Sequence, residues 1–169
     1  QPDGPVAAMH PEVGFDMVGL NDALIVQPFF VSNLAWKNQG FDCDVTLPTR
    51  RFALVIVCCK RSKHQTADLI AQAANQADIV VVDGQKTDGI DSHYKNLRKL
   101  TDVQGTVTKG HGRLFWFAGT DLPSLRAVNQ NFDGFVTKSG VFSVGAVDPA
   151  SALLADALPE HLSGDVADL

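Results

Sequence analysis

Apolar residues occur along this chain in short runs that alternate with segments of helical spacing. Residues 52–59 and 79–82 are apolar without polar alternation, which is typical of strands covered on both faces. Between them, residues 63–77 carry apolar side chains at helical spacing, with Ser62 as a candidate N-cap. A strand, a helix and a second strand in this order predict a crossover between parallel neighbours.

The same reading predicts further elements before and after this central unit. Strands are predicted at residues 6–10, 23–27, 42–46, 105–109 and 113–118, and helices at 28–40 and 92–100. The last two strands are joined by only Gly110, His111 and Gly112, a connection that allows only an antiparallel pair. The pattern therefore predicts an α/β fold with a mostly parallel sheet that ends in an antiparallel hairpin.

The last third of the chain has a different pattern, which predicts a second domain. Residues 121–131 are mostly polar and are interpreted as a linker between a domain at 1–120 and the start of another at 132–169. Two short strands are predicted at 132–137 and 139–143. Asp148 is the expected N-cap of a helix that continues to Gly164, and residues 165–169 begin a further strand.

Composition narrows the class of protein. The chain has 169 residues, of which 45% are hydrophobic, and a formal net charge of −5. This charge argues against nucleic-acid binding by the whole surface but permits a local basic patch. The longest apolar run is far too short to span a bilayer. Three cysteines, two of them adjacent in a strand, indicate free thiols in a cytoplasmic protein, and no spacing predicts a metal site.

One group of basic residues follows the carboxyl end of a predicted strand. These are Lys60, Arg61, Lys63 and His64. One interpretation is contact with RNA phosphates, because ligands bind at this edge of open α/β sheets. The other interpretation is an ordinary solvated start of a helix.

A second candidate edge follows residues 79–82. It contains Asp83, Lys86, Asp88 and Asp91, which are either an acid/base cluster or loop residues that cap the next helix. His111 with Asp83 would suit a hydrolase, but no Gly-x-Ser-x-Gly nucleophile motif is present. A nucleotide or small-ligand module that binds at this edge is a further alternative.

Three motifs near the end of the chain resemble one family. They are Gly140-Val141-Phe142-Ser143, Asp148-Pro149-Ala150-Ser151 and Gly164-Asp165-Val166-Ala167-Asp168-Leu169. This order resembles the entry to the catalytic domain of RsmC-type 16S ribosomal RNA guanine-N2 methyltransferases, of the methyltransferase small domain family. The resemblance implies that Asp168 stands at the start of the cofactor loop, which binds S-adenosylmethionine in that family.

Two upstream stretches resemble the N-terminal domain of the same family. They are residues 80–91 and 109–117. The resemblance implies a Rossmann-like, methyltransferase-type domain that is a degenerate copy without cofactor, which supports the catalytic half and helps to hold ribosomal RNA.

The family's Gly-rich cofactor loop and its Asn-Pro-Pro-aromatic motif, which orients a flipped guanine, are absent from these residues. We therefore expect the parent protein to be an RNA methyltransferase. We expect this chain alone to be inactive, with no catalytic residue and no bound cofactor.

Overall fold

The computed structural model describes residues 3–132, 134–137, 141, 143, 145–159, 161 and 163–165. The chain forms two units, Gln1–Ala127 (unit 1) and Val128–Leu169 (unit 2). Each has its own sheet. No helix among these residues combines the length and hydrophobicity that a membrane crossing requires.

Unit 1 is built on seven strands. They are β1 (Val6–Met9), β2 (Leu24–Val26), β3 (Cys43–Asp44), β4 (Phe52–Cys58), β5 (Ala77–Gln85), β6 (Val103–Lys109) and β7 (Gly112–Ala118). Their order in the sheet is β3-β2-β1-β4-β5-β7-β6. The first five strands are parallel, and β7 runs antiparallel to both of its neighbours. The predicted α/β fold, mostly parallel with an antiparallel terminal hairpin, is confirmed.

Helices cover both faces of this sheet, as the apolar strands predicted. The helices of unit 1 are α1 (Phe30–Asn38), α2 (Lys63–Gln76) and α3 (Ile90–Leu100). Residues of α2 and α3, such as Ile70 and Leu97, pack with Val55 of β4 on one face. Trp36 of α1 packs with Ile56 on the other face. Because adjacent strand residues point to opposite faces, both Val55 and Ile56 are buried.

Strand β5 continues beyond the apolar run 79–82 as far as Gln85. Gly84 and Gln85 continue the strand because they pair with Arg113 and Gly112 of β7. A Cβ on Gly84 would lie 2.6 Å from the Cβ of Cys59. The glycine therefore permits close packing within the sheet and does not mark the start of a turn.

Several apolar side chains in and next to helix α1 are exposed to solvent. Trp36 is 1% exposed, but Phe29, Phe30 and Leu34 are 64%, 74% and 45% exposed. A polar contact also holds the helix, because the Asn33 side chain donates a hydrogen bond of 2.9 Å to the carbonyl of Gln27. The helix predicted at 28–40 is therefore present, but of these four apolar residues only Trp36 belongs to the core.

Within unit 1, the segment after β7 packs against α2 although its sequence is mostly polar. Leu122 is 4% exposed and belongs to the same core as Ile70, and Leu125 packs against it. The backbone N–H of Ala127 donates to Asp68 of α2 at 2.8 Å. These contacts attach residues 122–127 to α2, within the stretch that the sequence suggested as a linker.

Unit 2 contains β8 (Gln130–Phe132), β9 (Phe135–Thr137) and α4 (Pro149–Ala157). The single strand predicted at 132–137 is wrong, because Gly134 adopts a φ of +82° and turns the chain into an antiparallel hairpin. Asp148 is the N-cap as predicted and accepts a hydrogen bond from Ser151 N at 3.0 Å.

Helix α4 ends earlier than expected. The next residue, Leu158, precedes a proline, and the residue before proline disfavours helical backbone. Most of the predicted strands at 139–143 and 165–169, together with Asp168, lies outside the described residues.

Candidate functional site

The carboxyl ends of β1, β2 and β4 meet at one edge of the sheet, where the strand order reverses between β1 and β4. Ligands of open α/β sheets bind at such a switch point. His10 follows β1, Gln27 follows β2 and Lys60 lies just beyond β4. Together with Glu12 and Phe29 they line a cavity of about 330 Å³, which we call the β1–β4 crevice.

His10 has an unusual backbone and a buried side chain. Its φ is +56°, in the left-handed region, while its N–H donates to the carbonyl of Val26 at 2.8 Å. The residue is 8% exposed. Burial, and to a smaller degree the nearby Lys60 ammonium, lowers the pKa of His10 to about 4. The imidazole is therefore neutral at pH 7, with one donor and one acceptor nitrogen.

Gln27 fixes two walls of the crevice. Its amide nitrogen donates to the carbonyl of Pro11 at 3.1 Å, and its Oε1 accepts from the N–H of Phe29 at 3.2 Å. Trp36 Nε1 also donates to the Pro11 carbonyl, at 3.3 Å. The chain after β1 and the start of α1 are thus held in place by the same side chain.

These residues do not fit an S-adenosylmethionine site. Such a site needs glycines after the first strand, so that backbone approaches the ligand, and an acidic residue after the second strand for the ribose hydroxyls. Here His10, Pro11 and Glu12 follow β1, and the amide of Gln27 follows β2 with both its nitrogen and its oxygen engaged. Unit 1 therefore has the fold without the means to hold this cofactor.

The structure separates the four basic residues that the sequence grouped as an RNA contact. Lys60 borders the β1–β4 crevice and forms an ion pair with Glu12 at 2.9 Å. Arg61 is exposed, and no described residue forms an ion pair or hydrogen bond with its guanidinium. Lys63 and His64 line another cavity. Lys60 and the pair Lys63 and His64 thus line two different cavities, so the four basic residues do not line one common cavity.

The turn that carries them is rigidly built. Ser62 Oγ accepts from the N–H of Gln65 at 3.3 Å, which confirms it as the N-cap of α2. The hydroxyl of Thr66 accepts from Lys60 N at 2.9 Å and donates to the Lys60 carbonyl at 3.1 Å. These hydrogen bonds fix the backbone from which the basic side chains extend.

The cavity that Lys63 and His64 line lies between α2 and α3 and measures about 250 Å³. His93 of α3 lines it as well, and its Nε2 is buried without a hydrogen-bond partner among the described residues. Burial, then the charge of Lys63, lowers the pKa of His93. The sequence interpretation missed His93, although it falls on the apolar face of α3 between Ile90 and Leu97.

The Asp83–Asp91 edge does not assemble a catalytic group. Asp88 Oδ2 accepts from Gln85 N at 3.2 Å, and Asp91 forms an ion pair with Arg113 at 2.7 Å. Burial raises the pKa of Asp83, which lies in β5 opposite Leu114. The predicted cap of α3 by Asp91 or Ser92 is wrong, since Gly89 occupies that position without a side-chain cap.

The alternative hydrolase pair is not brought together as a site. His111 lies exposed in the turn between β6 and β7 with a φ of +64°, and Asp83 lies within β5. Among the described residues, no three His, Cys, Asp or Glu side chains converge to hold a metal ion. Burial raises the pKa of Cys58 and of Cys59 to about 12, so neither thiol is activated as a nucleophile.

Comparison with known proteins agrees with the fold. Residues 133–169 match the family model described as methyltransferase small domain. No curated protein matches the chain.

Among solved structures, the chain is similar to the 16S rRNA N2 G1207 methyltransferase (RsmC) of T. thermophilus, in complex with AdoMet and guanosine. The identity is 22% and the TM-score 0.67, over 92% of this chain and 48% of that chain.

Two other structures have the same fold at lower identity. The ribosomal protein L11 methylase of Lactobacillus delbrueckii subsp. bulgaricus is 11% identical, with a TM-score of 0.56 over 71% of this chain and 72% of that chain. An rRNA methylase of Streptococcus thermophilus is 9% identical, with a TM-score of 0.51 over 69% of this chain and 87% of that chain.

The chain thus spans about half the length of the RsmC chain. The resemblance to the methyltransferase small domain family is confirmed over residues 133–169, and the chain has the Rossmann-like fold of the methyltransferases.

Proposed function

We propose that the chain is the N-terminal part of an S-adenosylmethionine-dependent ribosomal RNA (guanine-N2) methyltransferase of the cytoplasm. The observation that carries this proposal is the alignment with the RsmC structure, which includes 92% of the chain. Because unit 1 ends at Ala127, the alignment includes residues of both units. Independently, residues 133–169 match the methyltransferase small domain model.

The two units have different roles in this proposal. Unit 1 is a methyltransferase-like domain whose crevice residues do not fit the cofactor, so it supports the catalytic domain and contacts RNA. Unit 2 contributes the first elements of the catalytic domain, with Asp168 at the cofactor loop. When bound there, S-adenosylmethionine would supply the methyl group, and the acceptor is the exocyclic amine of a guanine. We assign no residue of this chain to the transfer itself.

Deletion of the gene in the source organism tests the activity. We expect one N2-methylguanosine to disappear from the ribosomal RNA, measured by mass spectrometry of RNase digests, and to return when the gene is supplied on a plasmid. An unchanged content of this nucleoside in the deletion strain would contradict the proposed reaction.

The proposed RNA contact consists of Lys60, Arg61, Lys63 and His64. We expect Arg61→Gln with Lys63→Gln to weaken binding of a fluorescein-labelled single-stranded RNA and to lower the slope of log K against log salt by about 1.4. Each lost phosphate contact removes about 0.7 of that slope on single strands. Fluorescence anisotropy at several salt concentrations measures both quantities.

A matched control has the same change in net charge. Lys95 and Lys99 are exposed on α3, away from the carboxyl edge of the sheet. Lys95→Gln with Lys99→Gln should leave the salt slope close to that of the unmodified chain. If both double variants lost the same affinity for RNA, the net charge of the chain, and not the position of Arg61 and Lys63, would determine the affinity.

The alternative of a nucleotide module at the Asp83–Asp91 edge has less support. The Asp88 carboxylate accepts a hydrogen bond from the backbone N–H of Gln85, and the Asp91 carboxylate forms an ion pair with Arg113. Both carboxylates therefore already have partners within the fold.

A further inference from the structure

We infer that the β1–β4 crevice binds an unpaired nucleobase, which stacks on Phe29 and forms hydrogen bonds with His10. This inference rests on the RNA contact of the proposed function and names what the same edge of the sheet recognises. It differs from cofactor binding, since the crevice residues do not fit S-adenosylmethionine.

Position and size are the first argument. The crevice lies beyond the carboxyl ends of β1, β2 and β4, where the strand order reverses. Its volume of about 330 Å³ falls at the small end of the range of small-molecule sites. A single base with part of its ribose suits such a volume better than a dinucleotide-like cofactor.

Phe29 is the second argument. The residue lines the crevice and remains 64% exposed. Its backbone is nevertheless fixed at both ends, because its N–H donates to Gln27 Oε1 at 3.2 Å and its carbonyl accepts from Asn33 N at 2.9 Å. An exposed aromatic side chain on a fixed backbone is the arrangement that single-strand-binding proteins use to stack a base.

His10 is the third argument. It lines the crevice and is 8% exposed, yet no described residue forms a hydrogen bond with its ring. Its ring nitrogens are therefore available to a ligand in the crevice, and a non-glycine residue at a φ of +56° is a strained position that the rest of the fold must maintain. The edge of a nucleobase offers both a donor and an acceptor to a neutral imidazole.

The charges at the crevice favour a base over a phosphate. Lys60 borders it, but its ammonium is already paired with Glu12 at 2.9 Å. A phosphate inside the crevice would meet the Glu12 carboxylate, whereas an uncharged base would not. Arg61, whose guanidinium pairs with none of the described residues, adjoins Lys60 in sequence and is available to a phosphate of the same RNA strand.

The test compares two neighbouring phenylalanines in the complete 169-residue chain. Phe29→Ala should weaken binding of a labelled single-stranded RNA about tenfold, because it removes one stacked base. Phe30→Ala is the matched control, since Phe30 is 74% exposed and does not line the crevice. Both side chains are exposed, so neither change should prevent folding.

A second arm varies the ligand. The ligands are a series of RNAs, each with one base replaced by an abasic site. For the unmodified chain, one RNA of the series should bind about tenfold more weakly than the intact RNA. For Phe29→Ala, every RNA of the series should bind as well as the intact RNA. Competition with guanosine and adenosine monophosphates distinguishes the source of the base. If the monophosphates displace the labelled RNA only at concentrations far above that of the RNA, the crevice binds a base of RNA. If they displace it at concentrations similar to that of unlabelled RNA, the crevice binds a free nucleotide.

A third arm tests the imidazole. His10→Asn keeps a residue type that tolerates the left-handed backbone and removes the ring. We expect a several-fold loss of affinity, with folding checked by circular dichroism.

Equal affinities of Phe29→Ala and Phe30→Ala, or unchanged affinity for every abasic RNA, would overturn the inference. The proposed phosphate contact would survive that result if the salt slope still depended on Arg61 and Lys63. Absence of any RNA binding by the unmodified chain would overturn both.

Discussion

At the scale of single residues, His10 combines a strained backbone with an imidazole that faces the crevice. Its backbone lies in the left-handed region, and no described residue forms a hydrogen bond with its imidazole, which faces the β1–β4 crevice. Nothing in the sequence marks it, because it stands between an apolar strand and Pro11. The fold maintains this position through the Gln27 amide, which holds the next residue in place.

The buried imidazole makes the stability of unit 1 depend on pH. The folded-state pKa of His10 is about 4, below the value of about 6.5 expected for the unfolded chain. The unfolded state therefore binds the proton first as pH falls, so the stabilisation present above pH 6.5 is lost between about 6.5 and 4. We expect His10→Asn to abolish up to about 3 kcal/mol of this pH dependence.

Urea unfolding followed by tryptophan fluorescence measures this dependence. Both tryptophans, Trp36 and Trp116, lie in unit 1, so the signal reports on that unit. His111→Asn is the control, because His111 has a φ of +64° but is exposed in a turn. The lowered pKa of His93 and the raised pKa of Asp83 are common to all three proteins. Parallel pH curves for His10→Asn and the unmodified chain would contradict the assignment.

At the scale of elements, the sequence predicted strands and helices well where burial alone decides them. The apolar runs of β4 and β5 and the helical spacing of α2 required no knowledge of distant contacts. Adjacent strand residues point to opposite faces, so Phe115 and Phe117 were expected to pack away from Trp116. The structure agrees, with both phenylalanines at 0% exposure.

Pairing between distant residues explains the elements that the sequence did not predict. The continuation of β5 through Gly84 depends on β7, whose strand begins almost thirty residues later. The exposure of Phe29 depends on where Trp36 and Asn33 fix α1. Neither fact can be predicted from the local sequence, because glycine after a strand usually indicates a turn and an aromatic residue usually indicates the core.

The sequence predicted the edge of the sheet at which the candidate site lies, but not most of the residues that form it. Parallel strands end at a common edge, and Lys60, which the sequence placed at that edge, lines the crevice. It did not pair Lys60 with Glu12, because these residues are 48 positions apart and meet only through the β1–β4 pairing. It also gave no role to His10 or Gln27, which follow strands too short to identify their ends.

At the scale of the whole molecule, the end of unit 1 is defined by packing and not by composition. Residues 121–131 were interpreted as a polar linker, yet Leu122 is 4% exposed in the core and Leu125 packs against it. Every residue of the two buried core clusters precedes Ala127. Unit 1 therefore has a complete hydrophobic core of its own, which a shorter fragment would interrupt.

This packing predicts different behaviour for two truncations. A fragment of residues 1–127 should unfold cooperatively in urea, whereas a fragment of residues 1–120 should lose roughly 3 kcal/mol or more of its free energy of unfolding. The shorter fragment lacks both leucines, and a fully buried leucine contributes about 1.5–3 kcal/mol. It also lacks the hydrogen bond from Ala127 to Asp68. Leu122→Ala in the longer fragment should reproduce much of the loss, because it leaves a cavity beside α2. If the two fragments unfold at the same urea concentration, residues 121–127 do not contribute to the core, and the boundary of unit 1 lies before them.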